Sequence, residues 1–598
     1  MVENPGTEKV SDLLKYIHNG DYVVPYFQRG FEWESGMICD LIESILQDYY
    51  TGLILLWDLN PEDARNEKWD PIWGAELKNT PKKAILDGQQ RLSSLYYAIY
   101  NPNKNFPNRK SYYVFFLDLN KILNKEYDDS VTYKYYSNYQ NIKQIMDSNK
   151  NWIDSGIIPI SILSATDVNY PNKSYIDSKD FANDLSKYID INKDQLPEDI
   201  TTHAVYQVLN GILNYTFVFY PLKDDRTLPD ICNIFARVNA KGMRLSTFDL
   251  MNAFIYPKGV KLRKDLWEKK TNEKLKEIDT NMDEYLLKLI SLYKQNYCSS
   301  KYIYNLIPGA ETLRKNEFGK KYKDRLVKDG DEFRHLWDNA CRYAEIARKR
   351  IMNNGTLDLG AVKTDFIPNT TIIPVMGAIL WSHESKSDTK EFGDNLNKWY
   401  WASVFSEDYS GSSDSVMAKD FRDWNEFVEK GKIIERVERI NREYILKLDL
   451  KNIKKGSSRY KAIICILTLN DARDFYKASS PGIVDYSSDN INDHHIFPNL
   501  VKGLDPEKSK GFDDYKDSIV NRTLLLNDTN IKINNKRPSS YLRDLTTYWG
   551  DEEHVKAILN RHLISEEAFR CMIEDDFDAF VIEREKTIKQ HLISKLEL

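Results

Sequence analysis

Cysteine is scarce and scattered: the six in 598 residues, Cys39, Cys232, Cys298, Cys341, Cys465 and Cys571, include no CxxC pair. That spacing excludes a disulfide framework and a thiolate zinc site, and leaves reduced, mostly buried thiols. No run approaches the roughly 18 apolar residues of a membrane span, so a membrane is not an expected partner. A GxxxxGK[ST] signature is also missing, so any triphosphate has to be held without a P-loop. Neither sign of charge dominates: 84 Lys and Arg stand against 90 Asp and Glu, net -6. A nucleic acid would therefore have to be drawn by local patches rather than by a global field. Fixed-period repeats and long low-complexity linkers are lacking as well. The opening MVENPGTEKV has no basic stretch followed by an apolar run, and a cytoplasmic location is expected.

What is present is the composition of a globular protein, 41% hydrophobic and 29% charged, which excludes global disorder. The length allows about two to four domains. From Ser11 to about Tyr256 strand and helix signals alternate. Ile38, Leu41, Ile42, Ile45 and Leu46 form a helical stripe, and LILLW at 53–57, KAIL at 83–86, YYVFFLDL at 112–119 and YTFVFYPL at 215–222 read as strands. Beyond Lys258 strand signals fade and helical periodicity runs to about residue 440. A turn-rich segment follows, and a helical tail is expected from Glu552 to Leu598. The division read from this pattern is 1–257, 258–440 and 441–598.

Two constellations carry chemistry. In KKAILDGQQRLSSLYYAIY a strand turns at Asp87-Gly88 into a helix, which aims free backbone N–H groups and the positive helix end at whatever lies above. Gly88 permits close approach, Arg91 suits a phosphate, Gln89 and Gln90 suit sugar or base, and Asp87 can hold a metal ion or cap the helix. The competing account is an ordinary capped helix. Two further stretches accompany it: VVPYFQRGFEWESGM, with Gln28 and Arg29, and FARVNAKGMRLSTFDL, with Asn239, Gly242, Leu245 and Asp249 and with Ser246 or Thr247 as helix cap.

Together, and in this order, these three stretches resemble the N-terminal domain of GmrSD-type modification-dependent restriction enzymes and their anti-phage relatives, whose core is similar to that of ParB and sulfiredoxin. The resemblance covers roughly residues 11–256. It implies nucleoside triphosphate binding and hydrolysis at Asp87, Gly88, Gln89, Gln90 and Arg91, with Gln28 and Arg29 as neighbours.

The second constellation is NINDHHIFPNL, followed 26 positions after His495 by NRTLLLNDTNIKINNKRPSSYL. Metal-dependent phosphodiester hydrolysis needs a base to activate water and N or O ligands that hold a cation against the phosphate. His495 can be the base, and His494 or Asp493, with Asn530, the ligands. The segment resembles a ββα-metal, or HNH, nuclease motif. That resemblance makes Asn521 the middle asparagine, which ties the loop by backbone hydrogen bonds, and leaves Asn530 or Asn534, four apart on one helix face, to complete the site. Mg²⁺, Mn²⁺, Ni²⁺ and Zn²⁺ all suit such donors. The basic residues Lys532, Lys536, Arg537 and Arg543, and the stretch 315–328, are candidate DNA-facing patches. DYSGSSDS at 408–415 resembles a loop of the same family and receives no chemistry.

The expected architecture is thus α+β and multidomain: a mixed α/β ParB/sulfiredoxin-like nucleotide-binding domain, a helical connector, and an HNH nuclease embedded in helices. The expected activity is metal-dependent cleavage or nicking of DNA, modified phage DNA foremost, under nucleoside triphosphate control in anti-phage defence, with a homodimer as an admissible assembly. Two rival expectations stand beside it: a nucleotide-gated DNA-binding or assembly protein with an inactive HNH fold, and an RNase or self-targeting toxin.

Overall fold

The computed structural model describes residues 4–596 apart from 143–149, 165–178, 227–229, 233, 236–245, 316–320, 356, 412, 454 and 478–489. Among these residues no helix is long and apolar enough to cross a membrane. All six cysteines are unpaired, and Cys39, Cys232, Cys298 and Cys465 are buried. The chain packs as two compact units, Met1–Pro257 and Lys258–Leu598.

Among the described residues unit 1 has nine strands: β1 Gly6–Lys9, β2 Tyr22–Pro25, β3 Ile54–Asp58, β4 Trp69–Asp70, β5 Lys83–Asp87, β6 Tyr112–Asp118, β7 Val131–Tyr136, β8 Ile157–Pro159 and β9 Thr216–Leu222. Six of them form a mixed sheet in the order β1-β9-β3-β5-β2-β4, and β7-β6-β8 form a second, antiparallel sheet. The continuous apolar runs at 53–57 and 83–86 follow from burial on both faces. Ile54, Leu56 and Ile85 point into a core built with the helices Val10–Asn19, Ser35–Leu46 and Gln89–Tyr100. Leu55, Trp57, Ala84 and Leu86 point to the other side, against Ile231, Phe235 and Ala253. β3 and β5 are central strands, and Asp87 is the last residue of β5, so the chain leaves the sheet interior at that point.

Unit 2 is mostly helical. Its helix Ile373–Ser382 is apolar on every side and packs between Met282–Gln295 and Gly330–Met352. The purely helical reading of 258–440 needs one correction, because Thr312–Lys315 (β10) and Lys321–Asp324 (β11) pair as an antiparallel hairpin. Its strands, TLRK and KYKD, are too polar to give an apolar alternation. The tail resolves into three helices, Glu552–Arg561, Glu566–Ile573 and Phe577–Lys595. Between helices lies a short hairpin, β12 Ile491–His495 with β13 Arg522–Leu526, followed at once by the helix Asn527–Ile533.

Candidate functional site

In unit 1, Gly88 stands at the strand-to-helix turn with φ +94°, and among the described residues no side chain caps the helix Gln89–Tyr100. Asp87 does not cap. Its carboxylate meets Arg91 at 3.2 Å instead. Arg91 also donates to the carbonyls of Thr51 (2.8 Å) and Leu53 (2.6 Å). Burial pulls its guanidinium below the usual range, with Asp87 acting the other way. Gly52 makes this possible: its φ is +101°, and a Cβ there would lie 2.5 Å from Arg91 Nη1.

The glutamines stitch the 25–33 segment onto the turn. Gln28, 5% exposed, donates to the carbonyls of Ile85 (2.8 Å) and Leu86 (3.3 Å). Gln90 donates to Gly30 O and accepts the N–H of Glu32 and Trp33, while Gln89 donates to Arg29 O. Arg29 pairs with Glu32 at 2.9 Å. A phosphate arriving here therefore meets the uncapped N–H groups after Gly88, and Arg91 reaches it only by giving up two carbonyls. Asn239, Gly242 and Leu245 lie outside the described residues. Ser246 is the cap of the following helix, in a reciprocal capping box with Asp249.

In unit 2 the hairpin pairs His494 with Thr523 and His495 with Arg522. Successive strand residues face opposite ways, so Asp493 and His495 share one face and His494 takes the other. On the first face, His495 Nε2 lies 2.9 Å from Asp517 Oδ1. Arg522 bridges two carboxylates, Asp517 at 2.6 Å and Asp493 at 2.8 Å. Asp493 also accepts from Tyr460 Oη at 2.6 Å and pairs with Lys455 at 3.4 Å. Burial and the Arg522 charge lower the His495 pKa, against the opposing pull of Asp517, which keeps the ring neutral near pH 7. On the opposite face His494 is 6% exposed, and its Nε2 is buried without a partner among the described residues. Burial, helped by His495, lowers its pKa to about 4, while the Asn530 amide engages the ring.

Asn521 is fully buried. Its amide accepts Phe497 N–H (2.8 Å) and donates to Phe497 O (3.0 Å) and Lys516 O (2.8 Å), closing the loop that returns from β12 to β13. Asn530 owes its place to Asp474, which accepts from Leu526 N and Thr529 Oγ1 and so fixes the start of its helix. Asn534 leaves that face, since the helix ends at Ile533 and Asn534 follows with φ +49°. From behind, His562 accepts from Thr523 Oγ1 and donates to Arg473 O, both at 2.6 Å, and Arg584 donates to the carbonyls of Val520 and His562. Asp517, Arg522 and Tyr460 carry no signature in the sequence.

Among the described residues no three His, Cys, Asp or Glu side chains converge as a metal site. A neutral, buried, unpartnered imidazole nitrogen beside an asparagine amide nevertheless suits a divalent cation. His494 and Asn530 fit that role. Asp493 does not, because its oxygens face Arg522, Tyr460 and Lys455 on the other side of the strand. The nearby basic residues are largely engaged: Lys532 lies over the Tyr476 ring at 3.4 Å, Lys536 pairs with Asp544, and Arg537 pairs with Asp575. In the 315–328 stretch, Lys323 and Arg325 both pair with Glu311, and 316–320 lie outside the described residues.

A histidine held by a carboxylate, an asparagine that locks its loop and an uncapped turn at a central strand thus stand in a chain whose N-terminal unit is that of a restriction endonuclease. Residues 10–256 match the family model of the GmrSD restriction endonuclease N-terminal domain. An uncharacterized protein of Methanocaldococcus jannaschii is 30% identical, the match covering 98% of both chains. The chain belongs to the GmrSD family.

Proposed function

We propose that this protein is a phage-defence endonuclease that cleaves DNA with a divalent metal, and that its hydrolytic centre is the HNH-like segment 491–533. In this reading the mixed sheet of unit 1 is a ParB/sulfiredoxin-like core that binds a nucleoside triphosphate at the Gly88 turn. Unit 2 then carries both the helical connector and the nuclease, and modified phage DNA is the foremost substrate. The carrying observation is the pair of adjacent histidines in one strand, His495 held by Asp517 and His494 buried beside Asn530 with its Nε2 unpartnered among the described residues.

The chemistry follows from those contacts. With Nε2–H donated to Asp517, the His495 Nδ1 lone pair is left to take a proton from water as its oxygen attacks phosphorus. Asp517 then stabilises the imidazolium, and Arg522 keeps Asp517 in place. Asn521 holds the loop so that His495 keeps its orientation. A divalent cation bound by His494 and Asn530 would supply charge neutralisation from the other face of β12, so it and His495 would serve one phosphate only where that phosphate spans the strand end at His495, the last residue of β12.

The test is incubation of the purified protein with plasmid, modified phage DNA and RNA, with and without Mg²⁺ or Mn²⁺ and each nucleoside triphosphate. The expected result is metal-dependent DNA cleavage that responds to a triphosphate and is lost in His495→Ala. Degradation of RNA alone would favour the toxin reading. Binding of DNA and nucleotide with no cleavage under any condition would favour an assembly protein.

A further inference from the structure

The second sheet of unit 1 takes no part in the chemistry above. In it β6 is central and β7 an edge strand, with Phe115 opposite Tyr133 and Tyr113 opposite Tyr135. Alternation along the strands puts these four rings on one face. That face runs out of the core into solvent. Phe115, Leu117 and Val131 are buried, whereas Tyr133 and Tyr135, on the same side of β7 as Val131, are 42% and 67% exposed. The reverse face is filled by Val114, Phe116, Tyr139 and Ile142, with Lys134 over the Phe116 ring.

The exposed rings are supported from beneath without being covered. Tyr113, whose ring lies 4.4 Å from that of Phe106, meets Tyr133 at 5.5 Å and Tyr135 at 5.8 Å, tilted by 31° and 33°. Among the described residues no cation and no ring from outside β6 lies against either tyrosine, and a tyrosine that keeps 67% of its surface has a ring face open to water. Positive charge stands at the same end. The loop before β6 is closed by Phe106 N–H to Ser111 O at 2.9 Å and by Arg109 N–H to Phe106 O at 3.0 Å, and it carries Arg109 and Lys110, both exposed. Among the described residues neither side chain has an ion pair or a hydrogen bond. The acidic pair Asp128 and Asp129 precedes β7, at the buried end of the face.

Open rings with free cations beside them suit a polyanion that carries flat groups. A polyphosphate would use the cations and leave the tyrosines idle, a sugar would do the reverse, and a duplex keeps its bases paired and out of reach. Unpaired nucleotides use both, since bases stack on tyrosine and phosphates pair with Arg and Lys. We propose that this face of unit 1 holds a single strand of DNA, with bases on the Tyr133 and Tyr135 rings and the phosphate backbone at Arg109 and Lys110. DNA rather than RNA follows from the restriction-endonuclease family of residues 10–256, and stacking needs no 2′-hydroxyl. The proposal requires neither the Gly88 turn nor the nuclease centre of unit 2.

Full-length His495→Ala protein in EDTA is titrated by fluorescence anisotropy with a short labelled oligodeoxythymidylate, with a duplex of the same length and with oligouridylate. The same titrations are made with Tyr133→Ala, Tyr135→Ala, Tyr135→Phe or the pair Arg109→Gln and Lys110→Gln added. The expected result is single-strand binding weakened about tenfold by either alanine and unchanged by Tyr135→Phe, which keeps the ring. The charge variant should lower the slope of log affinity against log salt by about 1.4. Duplex affinity should stay the same in the tyrosine variants. Irradiation with an oligonucleotide carrying 5-iododeoxyuridine, followed by mass spectrometry, should crosslink Tyr133 or Tyr135, which places the contact on unit 1. Thermal midpoints confirm folding, and Tyr135, the more exposed of the two, keeps the test valid if Tyr133→Ala is destabilised. Absence of single-strand binding, affinity equal in the parent and both alanine variants, duplex weakened as much as the single strand, crosslinks confined to other residues, or oligouridylate bound more tightly than oligodeoxythymidylate would overturn the proposal.

Discussion

Acid should weaken unit 2 through one histidine. His562 is wholly buried, with Nε2 donating to Arg473 O, Nδ1 accepting from Thr523 and its own carbonyl taken by Arg584. Burial disfavours a charged ring, and a second ring proton, which only a reoriented Thr523 hydroxyl could accept, adds charge beside a buried guanidinium, so the pKa falls to about 3. In the unfolded chain the same ring titrates near 6.5, so between pH 6.5 and 3 only the unfolded state takes the proton. Stability from this group is therefore complete above about pH 6.5 and declines as the pH falls. The loss works out at about 0.8 kcal/mol at pH 6 and about 2 kcal/mol at pH 5, relative to pH 8. The comparison is with His562→Gln, which keeps a donor and an acceptor but cannot titrate. Urea unfolding at pH 8, 6 and 5, followed by tryptophan fluorescence, is the assay; Trp549, bonded to Phe475 O beside the His562 ring, is a local reporter. The stability advantage of wild type over the variant should shrink by about 2 kcal/mol from pH 8 to pH 5. Parallel curves for the two proteins would refute the reasoning.

Asn521→Ala should destabilise unit 2 by about 2–4 kcal/mol, because Phe497 N–H and two carbonyls lose their partner inside the core; a melt that moves by less than a degree rejects this. Gly52→Ala should cost unit 1 about 1–3 kcal/mol from positive φ and displacement of Arg91, and Arg91→Ala should cost a similar amount by stranding the Thr51 and Leu53 carbonyls. Calorimetric scans of the three proteins check both, and the Arg91 variant should also bind triphosphate more weakly. Asn530→Ala should lose cleavage that high Mn²⁺ partly restores, whereas His495→Ala should not be rescued by any metal concentration; equal rescue of both would mean that the roles are misassigned.

Where a residue's role follows from its own neighbours in the chain, the sequence was enough to read it. The doubly buried strands at 53–57 and 83–86, the sharp exit at Gly88 and the Ser246 cap are all local, because periodicity, a positive φ or an N-terminal hydroxyl decides them. Asn521 was read only through the resemblance to an HNH motif, which implies an amide that ties the loop. The partners were not legible. Arg91 takes carbonyls from residues 51 and 53, and a carbonyl has no sequence signature. Asp517 and Arg522 reach His495 and Asp493 only because antiparallel pairing brings 22 and 29 positions of separation to contact. The choice between Asn530 and Asn534 stayed open in the sequence because it turns on where the helix stops, and it stops at Ile533.

The alternation of β12 sets a limit on what substitution and insertion can do here. Because His494 and His495 are neighbours that look in opposite directions, each is aimed by the other's position as much as by its own contacts. A single residue inserted between them would turn both rings to one side and leave the other side empty, although every functional group would still be in the chain. The return loop from residue 498 to 516 has no such parity and ends at a clamp, Asn521, that grips backbone rather than side chains. Length variation should therefore collect in the loop and be absent from the strand, which makes the spacing of the histidine pair a firmer mark of this centre than the identity of any residue around it.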